Sequence, residues 1–280
     1  MDQCPACGRL PQDSCESALC ARQDPSYVAV KDHWLDIRRT NIAEEIEAPL
    51  EWAVSSGTGG ILARWHFDQQ KFVSIPHKKT TTIDDTHQYA WFELTTHCPH
   101  RCRHCYLGER LGGPHGSTDM LLRAFDALSS FHITELVLAG GEPSVHPDFL
   151  ILLTAAREIA PHIRVLTNGW TQDPAVITAL ASPSVSVEIP LLGWEEDHDW
   201  MAQTPGSFQR IMHSLRLYKK AGIALTLTTT LTKSGIRALP RLRILASELD
   251  IPFQPSELFA QGNALKYWAE IAPEPNGATG

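Results

Sequence analysis

The segment YAWFELTTHCPHRCRHCY (89–106) joins a predicted strand to a cysteine-bearing loop at the start of a regular pattern of strands and helices. Its first seven residues, YAWFELT (89–95), are mostly aromatic and apolar and predict a β-strand. Cys98, Cys102 and Cys105 follow at once on one short loop. Reactive side chains directly after a strand are typical of α/β folds that build their sites at strand C-termini.

Downstream of this stretch, predicted strands alternate with predicted helices. The strands cover 133–139, 163–167, 184–190, 223–230 and 251–255, and the helices cover 117–130, 146–160, 174–181, 206–222 and 238–250. Such alternation predicts parallel βα units. Six strands are too few for a closed eight-stranded barrel. We therefore expect an α/β fold, a partial (β/α)6 barrel over 89–262, followed by a tail over 263–280.

Upstream of residue 89 the pattern is less regular. Residues 1–26 form a small cysteine-rich extension, and 27–88 predict a small strand-containing module. In this module GILARWHFDQQKFVSIP (60–76) predicts two strands around a turn at 68–70. IAEEIEAPLEWAV (42–54) predicts a short helix broken by its proline, and 77–86 a linker.

Composition and charge limit the classes of function. The chain has 280 residues, of which 43% are hydrophobic, as in ordinary globular proteins. No apolar run approaches the roughly 20 residues that a membrane span needs, and the N-terminus lacks the features of a signal peptide. The net charge of -8 gives no general attraction to nucleic acid. We expect a cytoplasmic protein whose partners are neither membranes nor nucleic acids.

The cysteines of the loop predict a metal site. In a cytosolic chain, closely spaced cysteines are more often metal ligands than disulfides. Three thiolates on one loop suit a four-iron, four-sulfur cluster, abbreviated [4Fe-4S], and leave one iron open for a small molecule to chelate. The spacing also leaves open a zinc site completed by a neighbouring histidine, with His97, His100 and His104 available.

Polar residues also follow or interrupt the later strands. Gly140-Gly141-Glu142-Pro143 comes directly after 133–139, where glycines let the backbone approach a ligand and a carboxylate can accept from an ammonium group. A plain strand-to-helix turn is the alternative. Asn168 ends the third strand as either a ligand contact or a turn residue. Glu188 lies in an apolar strand and needs a partner if it is buried; a surface position is the alternative.

Together, the cysteine spacing, its place after the first strand and the segment AGGEP (139–143) resemble the radical S-adenosylmethionine superfamily over about residues 89–262. The resemblance implies that S-adenosylmethionine chelates the open iron through its amino and carboxylate groups. One-electron reduction by an external donor then cleaves the S–C5′ bond, and the 5′-deoxyadenosyl radical removes a hydrogen atom from the substrate.

The resemblance also implies roles for single residues. The segment 140–143 binds the amino group of S-adenosylmethionine, with Glu142 as the best single candidate. Tyr106 lies beside the adenine, Asn168 lies near the cofactor, and Glu188 contacts the ribose or the substrate.

The stretch IPLLGWEEDHDWMAQTPGSF (189–208) resembles one found in members that modify ribosomally made peptides. The positions that keep its spacing are Gly193, His198, Asp199, Gly206, Ser207 and Phe208. Pro190 and Ala202 replace a serine and an arginine that often touch the cofactor, which implies that this chain holds the carboxylate and ribose differently. We expect His198 and Asp199 to structure the loop rather than to form a catalytic pair.

The N-terminal cysteines provide four ligands within a short segment, namely Cys4, Cys7, Cys15 and Cys20. The start CPACG resembles a zinc knuckle. So short a segment cannot build a core, so a metal would have to organise it. We expect structural zinc; an auxiliary iron–sulfur cluster and unliganded thiols are the alternatives.

The reaction is the least determined feature. No cysteine follows Cys105, and the resemblance then disfavours members that need further clusters or a thiol hydrogen donor. We expect a precursor peptide as substrate, docked by a leader-binding partner protein or at a sheet edge of 27–88. We expect a splicease that excises tyramine and leaves an α-keto-β-amino acid. The alternatives are radical rearrangement or cyclisation of a small molecule and, from another class, a non-enzymatic iron–sulfur or zinc protein.

Overall fold

The computed structural model describes residues 27–30, 33–36, 50–56, 61–74 and 88–273. Its strands are β1 (Tyr27–Val30), β2 (His33–Asp36), β3 (Trp52–Ser56), β4 (Ile61–His66), β5 (Lys71–Ser74), β6 (Gln88–Thr95), β7 (Ile133–Gly140), β8 (His162–Leu166), β9 (Val185–Pro190), β10 (Ala224–Thr230) and β11 (Phe253–Ser256). Its α-helices are α1 (Thr118–Ala127), α2 (Phe149–Ile159), α3 (Pro174–Leu180), α4 (Glu196–Ala202), α5 (Ser207–Lys220), α6 (Lys233–Leu249), α7 (Asn263–Lys266) and α8 (Trp268–Ile271). None of the described helices is both long and apolar enough to cross a bilayer.

The main sheet has nine strands in the order β11-β10-β9-β8-β7-β6-β3-β4-β5. Strands β6 to β11 pair in parallel and in chain order. Parallel neighbours need a crossover that returns the chain to the same edge, and α1, α2, α3, α5 and α6 provide it. The two ends of the sheet do not pair with each other. The predicted open, partial barrel of six βα units is thereby confirmed.

The hairpin predicted around 68–70 is β4 and β5, and it extends the barrel sheet through β3. Strand β3 pairs antiparallel with both β4 and β6. Trp52 stacks on Phe92 of β6 with ring centroids 5.6 Å apart, and its Nε1 donates to the Glu93 carbonyl at 2.9 Å. Residues 52–54, predicted to end a helix, are therefore strand, because Trp52 and Val54 are buried by pairing with β6. Residues 42–49 and 77–86 lie outside the described residues.

The core lies between the parallel strands and the helices that cover them. Phe92 is fully buried, and its ring centroid lies 4.9 Å from that of Phe125 of α1. Burying side chains of this size stabilises the fold by about 1.5–3 kcal/mol each. Because Phe92 also contacts Trp52, β6 joins the N-terminal strands to the barrel.

Helix α6 begins five residues earlier than predicted, at Lys233 instead of 238. The Thr232 side chain accepts from the Gly235 backbone N–H at 3.1 Å and caps the helix there. Pro240 lies inside α6. A helix that began at 238 would have Pro240 in its first turn, where proline removes no helical hydrogen bond. The cap at Thr232 starts the helix earlier and places Pro240 in its interior.

The chain after residue 262 is not a free tail in its described part, which reaches residue 273. Helices α7 and α8 pack against the barrel, and Ile271 is fully buried in a cluster with Leu192 and Met201. Asn263 donates to two carbonyls of the cysteine loop, from its backbone N–H to Cys105 at 2.8 Å and from Nδ2 to Cys102 at 3.1 Å. The predicted tail over 263–280 therefore starts too early.

Candidate functional site

A cavity of about 300 Å³ lies at the C-terminal ends of the parallel strands. This is the edge at which α/β barrels place their sites. Its wall includes most of the residues selected from the sequence: Cys98, Cys102, Cys105, Tyr106, Gly140, Gly141, Asn168 and Glu188. These residues come from four strands or the loops after them and therefore meet at one place, although they are up to 90 positions apart in the sequence.

The three cysteines of the loop after β6 are free thiols that line the cavity. Burial raises the pKa of the Cys98 thiol to about 12 and also raises the pKa values of Cys102 and Cys105. A bound cation reverses this effect, because it stabilises the thiolate directly. The site is therefore one where the thiols ionise together with metal binding.

Neighbouring elements hold the cysteine loop from two sides. The end of α4 accepts two backbone hydrogen bonds, from Arg101 N–H to Ala202 O at 3.1 Å and from Arg103 N–H to Met201 O at 2.8 Å. On the other side, Asn263 holds the Cys102 and Cys105 carbonyls, as described above. The loop is thus positioned by backbone contacts rather than by the thiols themselves.

Gly140 and Gly141 end β7 in contact with the start of the cysteine loop. A Cβ atom at Gly140 would lie 2.2 Å from the Thr95 carbonyl oxygen, and one at Gly141 would lie 2.4 Å from that of His97. The Gly141 N–H donates to Thr95 O at 2.7 Å. The close approach expected of these glycines is therefore made, at least in part, to the chain's own loop.

The side chain of Glu142 is hydrogen-bonded to other residues of the chain. Its side chain is fully buried and is absent from the cavity wall. The carboxylate accepts from Thr167 Oγ1 at 2.7 Å, from the Asn168 N–H at 2.8 Å, and from the N–H and hydroxyl of Ser144. Burial raises the pKa of Glu142, while these hydrogen bonds oppose that shift. Pro143 is also buried outside the wall. Glu142 thus holds the end of β8 in place, and its binding of the amino group of S-adenosylmethionine stays a prediction.

Asn168 and Glu188 line the cavity, and each side chain also contacts another residue of the chain. The Asn168 amide nitrogen lies 3.5 Å from Cys98 Sγ. Glu188 is half-buried and pairs with Arg164 of the next strand at 2.9 Å, and Arg164 also pairs with Glu135 at 2.8 Å. A carboxylate in this strand needs a partner, and Arg164 provides it. Arg164 lies on β8 two residues before Leu166, which is the residue that pairs with Glu188.

Six cavity-lining side chains carry a buried polar atom with no hydrogen-bond partner among the described residues: Trp91 Nε1, His100 Nε2, His104 Nδ1, Tyr106 OH, Asn168 Oδ1 and His198 Nε2. Buried polar atoms in folded proteins nearly always have partners. These six side chains therefore bring unused hydrogen-bonding groups to the wall of one cavity. Trp91 was not selected from the sequence, because an aromatic residue in an apolar strand carries no functional signal there.

The three histidines among these residues are neutral. Burial lowers the pKa of His100, His104 and His198 to about 4 in each case. A neutral imidazole presents one donor and one acceptor. These rings can therefore serve a ligand as hydrogen-bonding groups at neutral pH.

His198 and Asp199 structure the loop before α5, as expected. Asp199 accepts from the Gly206 and Phe208 N–H groups and from the Ser207 hydroxyl. His198 Nδ1 accepts from the Leu192 N–H at 3.1 Å. Of the two positions that depart from the peptide-modifying pattern, Pro190 lines the cavity, whereas Ala202 is buried outside its wall.

The residues present fit a [4Fe-4S] cluster with S-adenosylmethionine beside it. No group of three or more His, Cys, Asp or Glu in the described part of the chain is arranged around a single metal ion. The three thiols line one cavity, and cysteine thiolates are the ligands that hold iron–sulfur clusters. The unpartnered donors and acceptors nearby match an amino acid and a nucleoside. Cys4, Cys7, Cys15 and Cys20 lie outside the described residues.

Several curated proteins are similar to this chain in sequence. It is similar to the AdoMet-dependent heme synthase of Methanosarcina barkeri (28% identical over 164 residues, 57% of this chain and 47% of the relative). It is similar to the PqqA peptide cyclase of Ruegeria pomeroyi (32% over 161 residues, 56% and 43%) and to the mycofactocin maturase MftC of Mycobacterium tuberculosis (28% over 185 residues, 65% and 47%). The chain thus spans slightly less than half the length of these relatives.

Two solved structures share the fold. Streptococcus suis SuiB bound to precursor peptide SuiA superposes with a TM-score of 0.55 at 17% identity, covering 60% of this chain and 38% of that one. Native anSMEcpe with bound AdoMet and Cp18Cys peptide gives 0.52 at 17% identity, covering 60% and 50%. The model of the radical SAM superfamily matches residues 92–234, just over half of the chain. The protein therefore belongs to the radical SAM superfamily.

Proposed function

We propose that the protein is an enzyme that holds a [4Fe-4S] cluster through Cys98, Cys102 and Cys105 and binds S-adenosylmethionine beside it. The observation that carries this proposal is the cavity itself, where three free thiols meet six side chains with unpartnered buried polar atoms. When bound, the reduced cluster supplies one electron that cleaves S-adenosylmethionine to methionine and a 5′-deoxyadenosyl radical, which removes a hydrogen atom from the substrate.

The chain's own residues bind and orient the reactants. Gly140 and Gly141 offer backbone groups at the cavity wall, and Asn168 offers its amide oxygen. Tyr106 packs edge-on against Trp91 with ring centroids 6.4 Å apart, which supports an adenine contact on this side. Glu188, oriented by Arg164, is suited to accept from a ribose hydroxyl or from the substrate.

We propose a ribosomally made precursor peptide as the substrate. The relatives named above include a peptide cyclase and a maturase, and SuiB and anSMEcpe have been captured with peptides. Strand β5 is the outermost strand of the described sheet on one side, and Val73 on it is exposed, which supports docking of an extended leader segment there. A leader-binding partner protein and an external electron donor complete the proposed system, located in the cytoplasm where thiols stay reduced.

The finer reaction that we propose is backbone excision by a splicease, a lyase-type reaction that releases tyramine and leaves an α-keto-β-amino acid. It needs no thiol to return a hydrogen atom, and none of the described residues after Cys105 is a cysteine. The similarity to a heme synthase favours a second candidate, a radical reaction on a small molecule. A non-enzymatic iron–sulfur or zinc protein is the remaining alternative.

Mass spectrometry of a precursor peptide, co-expressed from a neighbouring gene with this protein, separates these candidates. Loss of a tyramine-sized fragment supports the splicease. An unchanged mass with deuterium uptake from solvent indicates epimerisation, and a loss of two hydrogens indicates cyclisation. Turnover of a small molecule with no peptide present contradicts the peptide substrate.

We also propose structural zinc at Cys4, Cys7, Cys15 and Cys20. The test requires the full chain, because β3 to β5 belong to the barrel sheet and a fragment ending at residue 88 divides that sheet. Replacing all four cysteines by serine should remove about one zinc per chain and leave the iron content unchanged. Iron and sulfide lost from that variant would identify an auxiliary cluster instead.

A further inference from the structure

His198 has one ring nitrogen engaged and the other free. The ring lies on α4, is almost completely buried, and accepts the Leu192 backbone N–H at Nδ1, 3.1 Å away. A backbone N–H can only donate, so Nδ1 carries no proton. In the neutral ring the proton is therefore on Nε2, and His198 presents an N–H donor there.

This donor has no hydrogen-bond partner in the described part of the chain, and the ring that carries it lines the cavity. His198 Nε2 is also buried. A buried donor that is left unpaired loses the hydrogen bond that it would make to water, which destabilises the ligand-free state. An acceptor on a ligand would remove that destabilisation, so the ring is preorganised for one.

The position of α4 places this donor at the cluster end of the cavity. The last turn of α4 accepts the backbone N–H groups of Arg101 and Arg103, which alternate with the cysteines of the loop. Ala202 lies one helical turn from His198 on the same face. A ligand group that His198 reaches would therefore lie beside the loop that carries the three cysteines.

The charges around the cavity restrict how a carboxylate can be held. Among the described residues that line it, there is no lysine or arginine, and Glu188 and Glu257 are the acidic ones. A carboxylate bound here must rely on neutral N–H and O–H donors. Of the two groups of S-adenosylmethionine that would chelate the open iron, the carboxylate is the one that can also accept a hydrogen bond.

We propose that the Nε2–H of His198 donates a hydrogen bond to the carboxylate of S-adenosylmethionine. This inference rests on the proposed function and adds a binding residue to it. His198 thus has two roles on its two nitrogens: Nδ1 structures the loop through Leu192, and Nε2 binds the cofactor.

Two isosteric variants separate these roles. In His198→Asn the side-chain oxygen replaces Nδ1 as acceptor for Leu192, but nothing replaces Nε2. In His198→Gln the amide nitrogen replaces Nε2 as donor, but Nδ1 is lost. His213→Asn, on the exposed face of α5, is the matched control. The readout is equilibrium dialysis of S-adenosylmethionine and of decarboxylated S-adenosylmethionine against reconstituted, unreduced enzyme, where no cleavage occurs.

We expect His198→Asn to weaken binding of S-adenosylmethionine roughly 10-fold or more, as loss of a hydrogen bond to a charged group does. Its affinity for the decarboxylated compound should stay within about 2-fold of wild type, and His198→Gln should retain most of the affinity for S-adenosylmethionine. His213→Asn should change neither.

Three results overturn the inference while leaving the proposed function intact. One is an equal loss of both ligands in His198→Asn, which indicates a structural role alone. Another is unchanged binding of both. The third is a loss of precursor-peptide affinity with unchanged S-adenosylmethionine affinity, which places the donor against the substrate. Failure of the wild-type enzyme to bind S-adenosylmethionine contradicts the proposed function itself, and with it this inference.

Discussion

The carboxylate of Glu142 accepts four hydrogen bonds, and all four donors belong to Ser144, Thr167 and Asn168. Its place in a glycine-rich turn is visible in the sequence and suggests a direct ligand contact. Its partners at 167 and 168 belong to the end of the next strand, and no local pattern shows that they meet. At the scale of residues, the sequence therefore predicts which segments form the site better than it predicts which side chains face the ligand.

Glu142→Gln should weaken both the fold and cofactor binding while leaving the cluster in place. An amide has one acceptor oxygen and a nitrogen that donates, so at least one of the four donors is left facing another donor. We expect a loss of about 1–3 kcal/mol in the free energy of unfolding. Thermal unfolding and S-adenosylmethionine dialysis measure the two effects, with Glu158→Gln on the exposed face of α2 as control. Wild-type stability in Glu142→Gln would contradict the positioning role.

A buried ion pair behind the cysteine loop supports a second residue-scale prediction. Glu93 is fully buried and binds Arg110 through both carboxylate oxygens, at 2.8 and 3.2 Å. Arg110→Met removes both of these hydrogen bonds and leaves the buried carboxylate without its cation, although the Glu51 N–H still donates to it at 2.8 Å. We expect a loss of about 3–5 kcal/mol in urea unfolding of the cluster-free protein.

The control for this variant is Arg123→Met, which removes an exposed pair with Asp119 on α1. Exposed pairs contribute about 0–1 kcal/mol. Equal effects of the two substitutions would show that the buried pair adds no more to stability than a surface pair does.

At the scale of elements, the strands follow the predicted pattern closely, whereas helix starts and long-range pairings do not. Thr232 caps α6 so that the helix begins at Lys233, five residues before the start that its periodic apolar pattern predicts. The pairing of β3 with β6 joins residues about 40 positions apart, and alternation within either strand carries no information about its partner. The contact of Asn263 with the cysteine loop is longer-range still.

Gly262 tests whether the segment before α7 positions the cysteine loop. Its φ is +55°, and an added Cβ would lie 2.3 Å from the Tyr106 carbonyl oxygen and 2.6 Å from that of Cys105. Gly262→Ala should therefore displace the loop and lower the iron content after reconstitution. Gly222→Ala is the matched control, because its φ is +78° but nothing lies within 4 Å of the added Cβ.

Both alanines carry the backbone strain of a left-handed conformation, about 1–2 kcal/mol. The contact with the loop distinguishes them. We expect normal iron content in Gly222→Ala and a clear deficit in Gly262→Ala. Equal iron content in the two proteins would show that the loop is not held from this side.

At the scale of the whole molecule, one sheet carries both the N-terminal strands and the site. Strands β3 to β5 extend the sheet beyond β6, and the six parallel strands deliver their C-terminal ends to the cavity. Family membership rests on this arrangement together with the match over 92–234. The central claim is that the three cysteines of the loop after β6 support cleavage of S-adenosylmethionine.

The most direct test is the formation of 5′-deoxyadenosine from S-adenosylmethionine by anaerobically reconstituted, reduced protein. The comparison is the variant in which Cys98, Cys102 and Cys105 are all alanine. We predict 5′-deoxyadenosine and methionine from the wild type, and neither product nor the oxygen-sensitive iron–sulfur chromophore from the variant. Wild-type protein with a full iron complement that forms no more 5′-deoxyadenosine than the variant, with precursor peptide present, would contradict the account.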